Sequence, residues 1–299
     1  MAGVEKALVL WNEEAMSVLI VGGDSLIGRS VAETLRRRDV GCLASTRRPE
    51  QAGPQRPLID LSRPSVDWTP PAGIRAALLC AARPSQQDCA DHPDETRAVN
   101  VEAVLALGLN LSRAGIFTIF LSTSLVFDGK QPRMPANAPY RPIGAYGMQK
   151  VEAEQGLQAM FPTDRLAIVR LGKVLDPGAA LLRDWRTALS ESRRIEPFDD
   201  IAIAPLSPSF TADALSRILL AGKGGVFQLS SRDEITYAEA ARILARRWGY
   251  DPALVAPRHG RDAIPALRDA PLHASLDGAA ADLLGIEQPD AATMMSETV

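Results

Sequence analysis

Short apolar runs punctuate this chain, and between them apolar residues return every three or four positions. The runs cover residues 17–21, 40–45, 76–82, 116–121, 166–171 and 225–230. Unbroken apolar stretches of this length predict strands buried on both faces, as in a parallel sheet. The first run is followed by Ile27, Val31 and Leu35 on one helical face, ending near Arg38. Helical periodicity also covers 95–113, stopped by Gly115, and runs from Tyr146 to about Met160. Residues 58–61 read as a short strand inside a linker studded with Pro54, Pro57, Pro64, Pro70 and Pro71. Strands and helices alternating at this spacing predict an α/β fold built on a doubly wound parallel sheet.

Past Gly172 the rhythm loosens. Helices are predicted over 181–190, from a Thr211 cap to about 221, and from a Thr236-x-x-Glu239 capping box to about Trp248. Asp277 would cap a last short helix ending at Gly285. Residues 197–210 read as irregular, and those from about Gln288 as frayed.

With 299 residues and 46% hydrophobic content, the chain can bury a sizeable core. No stretch approaches the roughly eighteen apolar residues of a membrane span. A net charge of -3 gives no electrostatic case for nucleic acid or an anionic membrane surface. Residues 1–16 carry Glu5, Glu13 and Glu14 and lack a basic n-region, so they do not read as a secretory signal. They are either a short extra element or an upstream start, with Met16 as the working one. Cys42, Cys80 and Cys89 suit a reducing cytoplasm rather than a disulfide frame. Cys89 and His92 are spaced like metal ligands but lack a second pair, so they read as a helix-surface pair and no metal is expected.

The chemistry starts where the first strand meets Gly22-Gly23-Asp24-Ser25-Leu26-Ile27-Gly28. Strand, glycine-rich turn and helix form the setting of a Rossmann dinucleotide site: glycines admit the pyrophosphate, and the helix N-terminus stabilises its charge. Ser25 stands where a middle glycine is usual, and its hydroxyl could bond a phosphate oxygen. After the second strand come Thr46, Arg47 and Arg48 with no acidic residue, which favours the 2′-phosphate of NADP(H) over NAD(H). Two solvated loop arginines are the plain alternative. Asp60 and Leu61 offer an adenine-edge site, and the small residues Cys80, Ala81 and Ala82 leave room at a strand end. These features divide the chain into an extension (1–16), an NADP-binding domain (17–175) and a smaller α/β substrate-binding lobe (176–299), with the strand near 225–230 returning to the main sheet.

Ser122, Thr123 and Ser124 end a buried run, upstream of Tyr146 and Lys150. Spaced four apart on a helix, these two side chains share a face. An ammonium beside a phenol favours the phenolate and draws its pKa down, which suits proton exchange with a carbonyl. Taken alone, this spacing is common on helix surfaces. Asn100, inside its helix, either faces solvent or reaches the backbone of the site.

Together these residues resemble the extended short-chain dehydrogenase/reductase family, and within it the dTDP-4-dehydrorhamnose reductases. The likeness rests on the Gly22–Gly28 turn, Ala81-Ala82 with Asp88, Val99-Asn100, and Ser122-Thr123 with Val126-Phe127-Asp128-Gly129. It continues in Tyr146-Gly147-x-x-Lys150, Ser207-Pro208, Ser275-Leu276-Asp277 and Leu284-Gly285. The resemblance implies that Thr123 hydrogen-bonds a substrate carbonyl, Tyr146 protonates its oxygen, and Lys150 holds the nicotinamide ribose and lowers the Tyr146 pKa. Asn100 would match the family's structural asparagine. Where those reductases carry an Asp-Tyr pair that meets the sugar, this chain has Ser124 and Leu125; an aromatic is replaced by Lys173 and a strand-end Asn by Cys80. Lys173 reads either as a contact for a substrate phosphate or carboxylate or as an exposed lysine. The implied activity is reduction of a keto group on a nucleotide sugar, with a homodimer as one assembly. An epimerase or dehydratase of the same superfamily and a non-catalytic regulatory subunit are the alternatives.

Overall fold

The computed structural model describes residues 17–63, 68–263 and 271–298. The extension 1–16, with its start at Met16, and Pro64 lie outside them. In chain order come β1 (Ser17–Val21), α1 (Leu26–Arg37), β2 (Gly41–Ala44) and β3 (Ile74–Leu79). Next, α2 (Gln86–Asp91) and α3 (Pro93–Arg97) lead through a π-turn (Ala98–Ala103) into α4 (Val104–Arg113). β4 (Phe117–Thr123), α5 (Gly144–Met160), β5 (Leu166–Leu171) and β6 (Lys173–Val174) follow. Then come α6 (Ala180–Ser190), β7 (Ala202–Ile203), β8 (Pro205–Leu206), α7 (Pro208–Ala221), β9 (Gly225–Leu229) and β10 (Ile235–Thr236). The last are α8 (Tyr237–Trp248), α9 (Gly260–Ala263), α10 (Ala279–Asp282) and α11 (Ala291–Glu297).

The chain forms two compact units. The first takes residues up to Phe127, Tyr140–Arg170 and Ala212–Phe227. It is organised on a six-stranded sheet of order β2-β1-β3-β4-β5-β9, with β1 parallel to β2 and β3, and β3 parallel to β4. The fold is therefore the doubly wound α/β type. Its strand order reverses between β1 and β3, and at such a switch point the carboxyl ends of the strands open a crevice. The apolar runs form these strands because both faces are covered: Leu19, Ala77, Leu79, Phe120 and Ile168 share one buried cluster with Leu107, Leu111 and Leu157 of α4 and α5.

Several elements differ from expectation. Residues 58–61 form no strand; one bridge joins Leu58 to Thr46. The Asp60 carboxylate instead accepts from the Ser62 N–H and hydroxyl at 3.0 and 2.7 Å, a turn that ends extended pairing. The helix expected over 95–113 starts at Pro93 and is interrupted by the π-turn around Asn100. α7 begins one turn before Thr211, because the Ser207 hydroxyl accepts from the Phe210 N–H and Pro208 opens the helix. Thr211 lies inside it, donating to the Ser207 carbonyl.

The second unit takes Asp128–Pro139, Leu171–Thr211 and the chain from Gln228 onward. The stretch read as irregular holds β7, which pairs antiparallel with β10, and β8, which pairs parallel with β6. Nor is the C-terminal segment frayed. Met295 of α11 is fully buried with Leu182, Trp185, Ile203 and Leu244, and Glu297 accepts from the Ser207 hydroxyl at 2.7 Å. The sequence shows only one short amphipathic turn, whereas the partner surface comes from α8 and β8. Truncating Met295 to alanine is expected to lower the unfolding free energy by about 2–4 kcal/mol in urea titration; a frayed tail would give no change.

Candidate active site

The crevice is built first from backbone. Gly22 adopts φ +95°, and a Cβ there would lie 2.7 Å from the Ala81 nitrogen, so only glycine lets the ends of β1 and β3 close on each other. Its N–H donates to the Ser45 hydroxyl at 3.0 Å. Ser25 is the N-cap of α1, and its hydroxyl accepts from the Gly28 N–H at 3.0 Å. The residue in the middle-glycine position thus serves the helix itself. The N–H groups of Leu26 and Ile27 belong to the first turn, where no intrahelical carbonyl can meet them. Cys80 lies under the turn: its thiol donates to the Val21 carbonyl at 3.1 Å, and burial pushes its pKa up to about 11. The Ala81 N–H donates to the same carbonyl at 3.0 Å.

Beyond β2, Arg47 and Arg48 are both exposed. Within the glycine turn, Asp24 accepts from the Thr46 hydroxyl at 2.8 Å and pairs with Arg56. Burial works to raise the Asp24 pKa, but the Thr46 bond and the charges of Arg56 and Arg48 hold it below the usual value. Sequence reading missed Asp24 and Arg56, whose meeting depends on the fold. A cavity of about 260 Å³ opens beside Arg47, lined by Asp60, Leu61, Trp68, Ala103 and Asn110.

Asn100 turns inward. It is fully buried, accepts from the Arg83 N–H at 2.8 Å, and donates to the Arg83 carbonyl at 3.0 Å and to Gln149 at 2.8 Å. The π-turn supplies the extra residue that aims it at the loop following β3, past Ala82. Cys89 belongs to the same cluster rather than to a helix surface: it is fully buried and its thiol faces the Gln149 side chain.

β4 delivers Thr123 at its carboxyl end, where the side chain accepts from the Leu125 N–H at 3.3 Å. α5 lies close against this corner, since a Cβ on Gly147 would sit 2.3 Å from the Leu125 carbonyl oxygen. The Lys150 ammonium donates to the Leu121 carbonyl at 2.6 Å and lies 4.2 Å from the centre of the Phe120 ring. Burial pulls its pKa down to about 8, while Glu154 and then Cys80 work to raise it.

Tyr146 runs against expectation. Its pKa is raised, first by burial and then by Cys89, and Lys150 is not among the causes. The lysine is taken up by a backbone carbonyl, so in this structure the phenol holds its proton tightly. Among the described residues, no hydrogen bond joins Tyr146 to Thr123 or Lys150. Ser124 and Leu125 lie beside Thr123 in the first unit; Lys173, exposed on β6, belongs to the second and makes no ion pair among the described residues.

A further group went unread. Glu154 continues the Tyr146/Lys150 face by one more turn and binds Ser122, Tyr140 and Arg170. Its spacing from Lys150 was the available signal, as was an arginine inside the apolar run of β5.

Gly147→Ala is expected to cost about 1–3 kcal/mol of unfolding free energy by overpacking against Leu125. The neighbouring exposed substitution Met148→Ala should stay within about 0.5 kcal/mol in the same urea titration.

Comparison with known proteins gives the family and the fold. The family model described as "RmlD substrate binding domain" matches residues 16–298. A dTDP-4-keto-6-deoxy-D-glucose reductase of Streptomyces niveus is 26% identical over 252 residues, covering 80% of this chain and 81% of that protein. The methionine adenosyltransferase 2 subunit beta of Bos taurus is 26% identical over 297 residues, covering 91% and 83%. The structure of a Bacillus anthracis dTDP-4-dehydrorhamnose reductase in complex with NADP superposes with a TM-score of 0.81 at 16% identity, covering 96% and 99%. Among the described residues, no helix is long and apolar enough to cross a membrane.

Proposed function

This chain belongs to the RmlD substrate-binding domain family, of the extended short-chain dehydrogenase/reductase type, and from that premise we propose that it is an NADP(H)-dependent reductase of a keto group on a nucleotide-linked deoxysugar. The carrying observation is that Thr123, at the end of β4, lies on the corner against which the Tyr146/Lys150 face of α5 packs. The keto-sugar reductases among the relatives supply the substrate class.

The residues present fit a dinucleotide. Gly22 meets Ala81 so closely that a side chain would close the cradle, and α1 opens beside it for a pyrophosphate. Arg47 and Arg48, both exposed, would meet a 2′-phosphate, and Arg56 pairs with Asp24. Asp60 and Leu61 line the cavity next to Arg47, where an adenine edge fits. Bound NADPH would supply the hydride. Thr123 then accepts a place as hydrogen-bond donor to the carbonyl oxygen, and Tyr146 delivers its proton to that oxygen as the carbon is reduced. A phenol whose pKa is raised by burial is protonated at neutral pH, which is the form this direction requires. Lys150 would hold the nicotinamide ribose with its positive charge and N–H donors. Ser124 and Leu125, next to Thr123 in the chain, are proposed to meet the substrate.

The regulatory-subunit reading draws on the bovine subunit, as similar to this chain as the reductase is. An epimerase or dehydratase is disfavoured by Arg47 and Arg48 and by the lack of an acidic residue beside Thr123.

The deciding experiment titrates the protein with NADPH and NADH and then follows NADPH oxidation on a dTDP-4-keto-6-deoxysugar. Turnover is expected, and Tyr146→Phe should lower kcat by about 10²–10⁴-fold while the NADPH Kd stays within about threefold. NADPH bound without turnover would transfer the assignment to the regulatory reading. Replacing both Arg47 and Arg48 by alanine should cut the preference for NADPH over NADH by about tenfold or more, equal to about 1.4 kcal/mol; an unchanged ratio means these arginines are simply solvated.

A further inference from the structure

We propose that Glu154 is the positioning residue of this site: its buried carboxylate ties the Tyr146/Lys150 helix to the end of β4 and supplies the charge that Lys150 faces. The catalytic half of this proposal rests on the reductase reading above.

Glu154 is completely buried, yet it is hydrogen-bonded from three separate segments. Ser122 of β4 donates its hydroxyl to one carboxylate oxygen. Tyr140, in the loop before α5, donates to the other at 2.8 Å. Arg170 of β5, only 2% exposed, reaches both oxygens through Nε at 3.2 Å and the second through a terminal nitrogen at 2.7 Å. The guanidinium is flanked by the rings of Phe127 and Tyr140 at 5.0 and 5.2 Å.

The register carries the argument. Lys150 and Glu154 are one helical turn apart on α5, and their partners, the Leu121 carbonyl and the Ser122 hydroxyl, are consecutive on β4. They form two rungs of one latch, and the next strand residue is Thr123. The latch therefore fixes how α5, which carries Tyr146, lies against the end of β4, which carries Thr123.

The same carboxylate acts on charge. The groups acting on Lys150 are Glu154 on its own helix, Cys80 at the end of β3, and the face of the Phe120 ring on β4. Glu154 is the acidic residue in this set, backed by Arg170 of β5. Tyr146 is influenced by Cys89 of α2. Burial draws Lys150 down to about 8, and Glu154 is the first of the groups that oppose this. Removing the carboxylate should therefore lower the Lys150 pKa further, so the lysine loses its proton at lower pH.

The test follows Lys150 directly by carbon NMR of protein labelled at the lysine ε-carbons. The chain has five lysines (Lys6, Lys130, Lys150, Lys173 and Lys223), and Lys150→Met assigns the signal. Glu154→Gln is expected to move the Lys150 midpoint down by about one unit or more, and the basic limb of the kcat profile should move with it. Glu154→Gln leaves Arg170 buried without its partner, so the double variant Glu154→Gln with Arg170→Met is measured beside it. In the double variant the thermal midpoint should recover relative to the single variant, while the Lys150 midpoint and kcat remain below wild type. A Lys150 midpoint unchanged in both variants, or a double variant with wild-type kcat and pH profile, would overturn the proposal and leave Glu154 a packing element. If the wild-type protein oxidises no NADPH, the reductase reading fails on its own, and the Lys150 titration still decides the role of the carboxylate.

Discussion

The structure depends on one close approach. The ends of β1 and β3 meet so tightly at Gly22 and Ala81 that there is no space for a single added carbon. Everything around the crevice follows from this. The Ser45 hydroxyl can take the Gly22 N–H only because β2 lies alongside. α1 can begin at Leu26 only because the turn is compact. Backbone donors at a helix start then face the crevice without side chains in between, an arrangement that suits a phosphate group. Replacing the usual middle glycine by Ser25 does not undo it, because the hydroxyl folds back as the α1 cap.

A second constraint is that polar groups buried around the site must be satisfied, since an unpaired one costs about 1–3 kcal/mol. Two clusters meet this requirement. Asn100, Gln149 and Cys89 bind the loop after β3 to α5. Glu154 and Arg170 bind β5 and the loop before α5 to the same helix. Both clusters converge on α5, whose apolar patterning is otherwise weak, so this helix is held largely by directional bonds. Directional bonds fix a register more sharply than apolar contact does, and the register is what sets α5 against the end of β4.

The central strands were legible in the sequence because burial on both faces removes polar residues, leaving apolar runs such as 17–21 and 166–171. The glycine turn was legible because a strand and a helix bracket it. What escaped depends on contacts far along the chain. The π-turn at Asn100 has no local signature, and its purpose is the Arg83 backbone. α11 is too short to show a convincing period, and Met295 finds its core only with α6 and α8 in place. The start of α7 is readable in Ser207-Pro208, a cap followed by a first-turn proline, whereas Thr211 lies inside the helix. Glu154 was readable too, one turn beyond Lys150. The effect of Lys150 on Tyr146 was inferred from spacing alone, which cannot show that the ammonium is already held by the Leu121 carbonyl.

That last point changes how the reductase and regulatory readings are weighed. A chain that kept the fold without the chemistry would still gain from Lys150, because the lysine joins α5 to β4. The lysine therefore discriminates less than its motif suggests. Tyr146 discriminates more. Partial burial raises its pKa, and among the described residues its hydroxyl makes no hydrogen bond. A phenol that is only partly buried, on the helix face packed at the end of β4, is free to give a proton to a carbonyl oxygen, whereas Lys150 is already held.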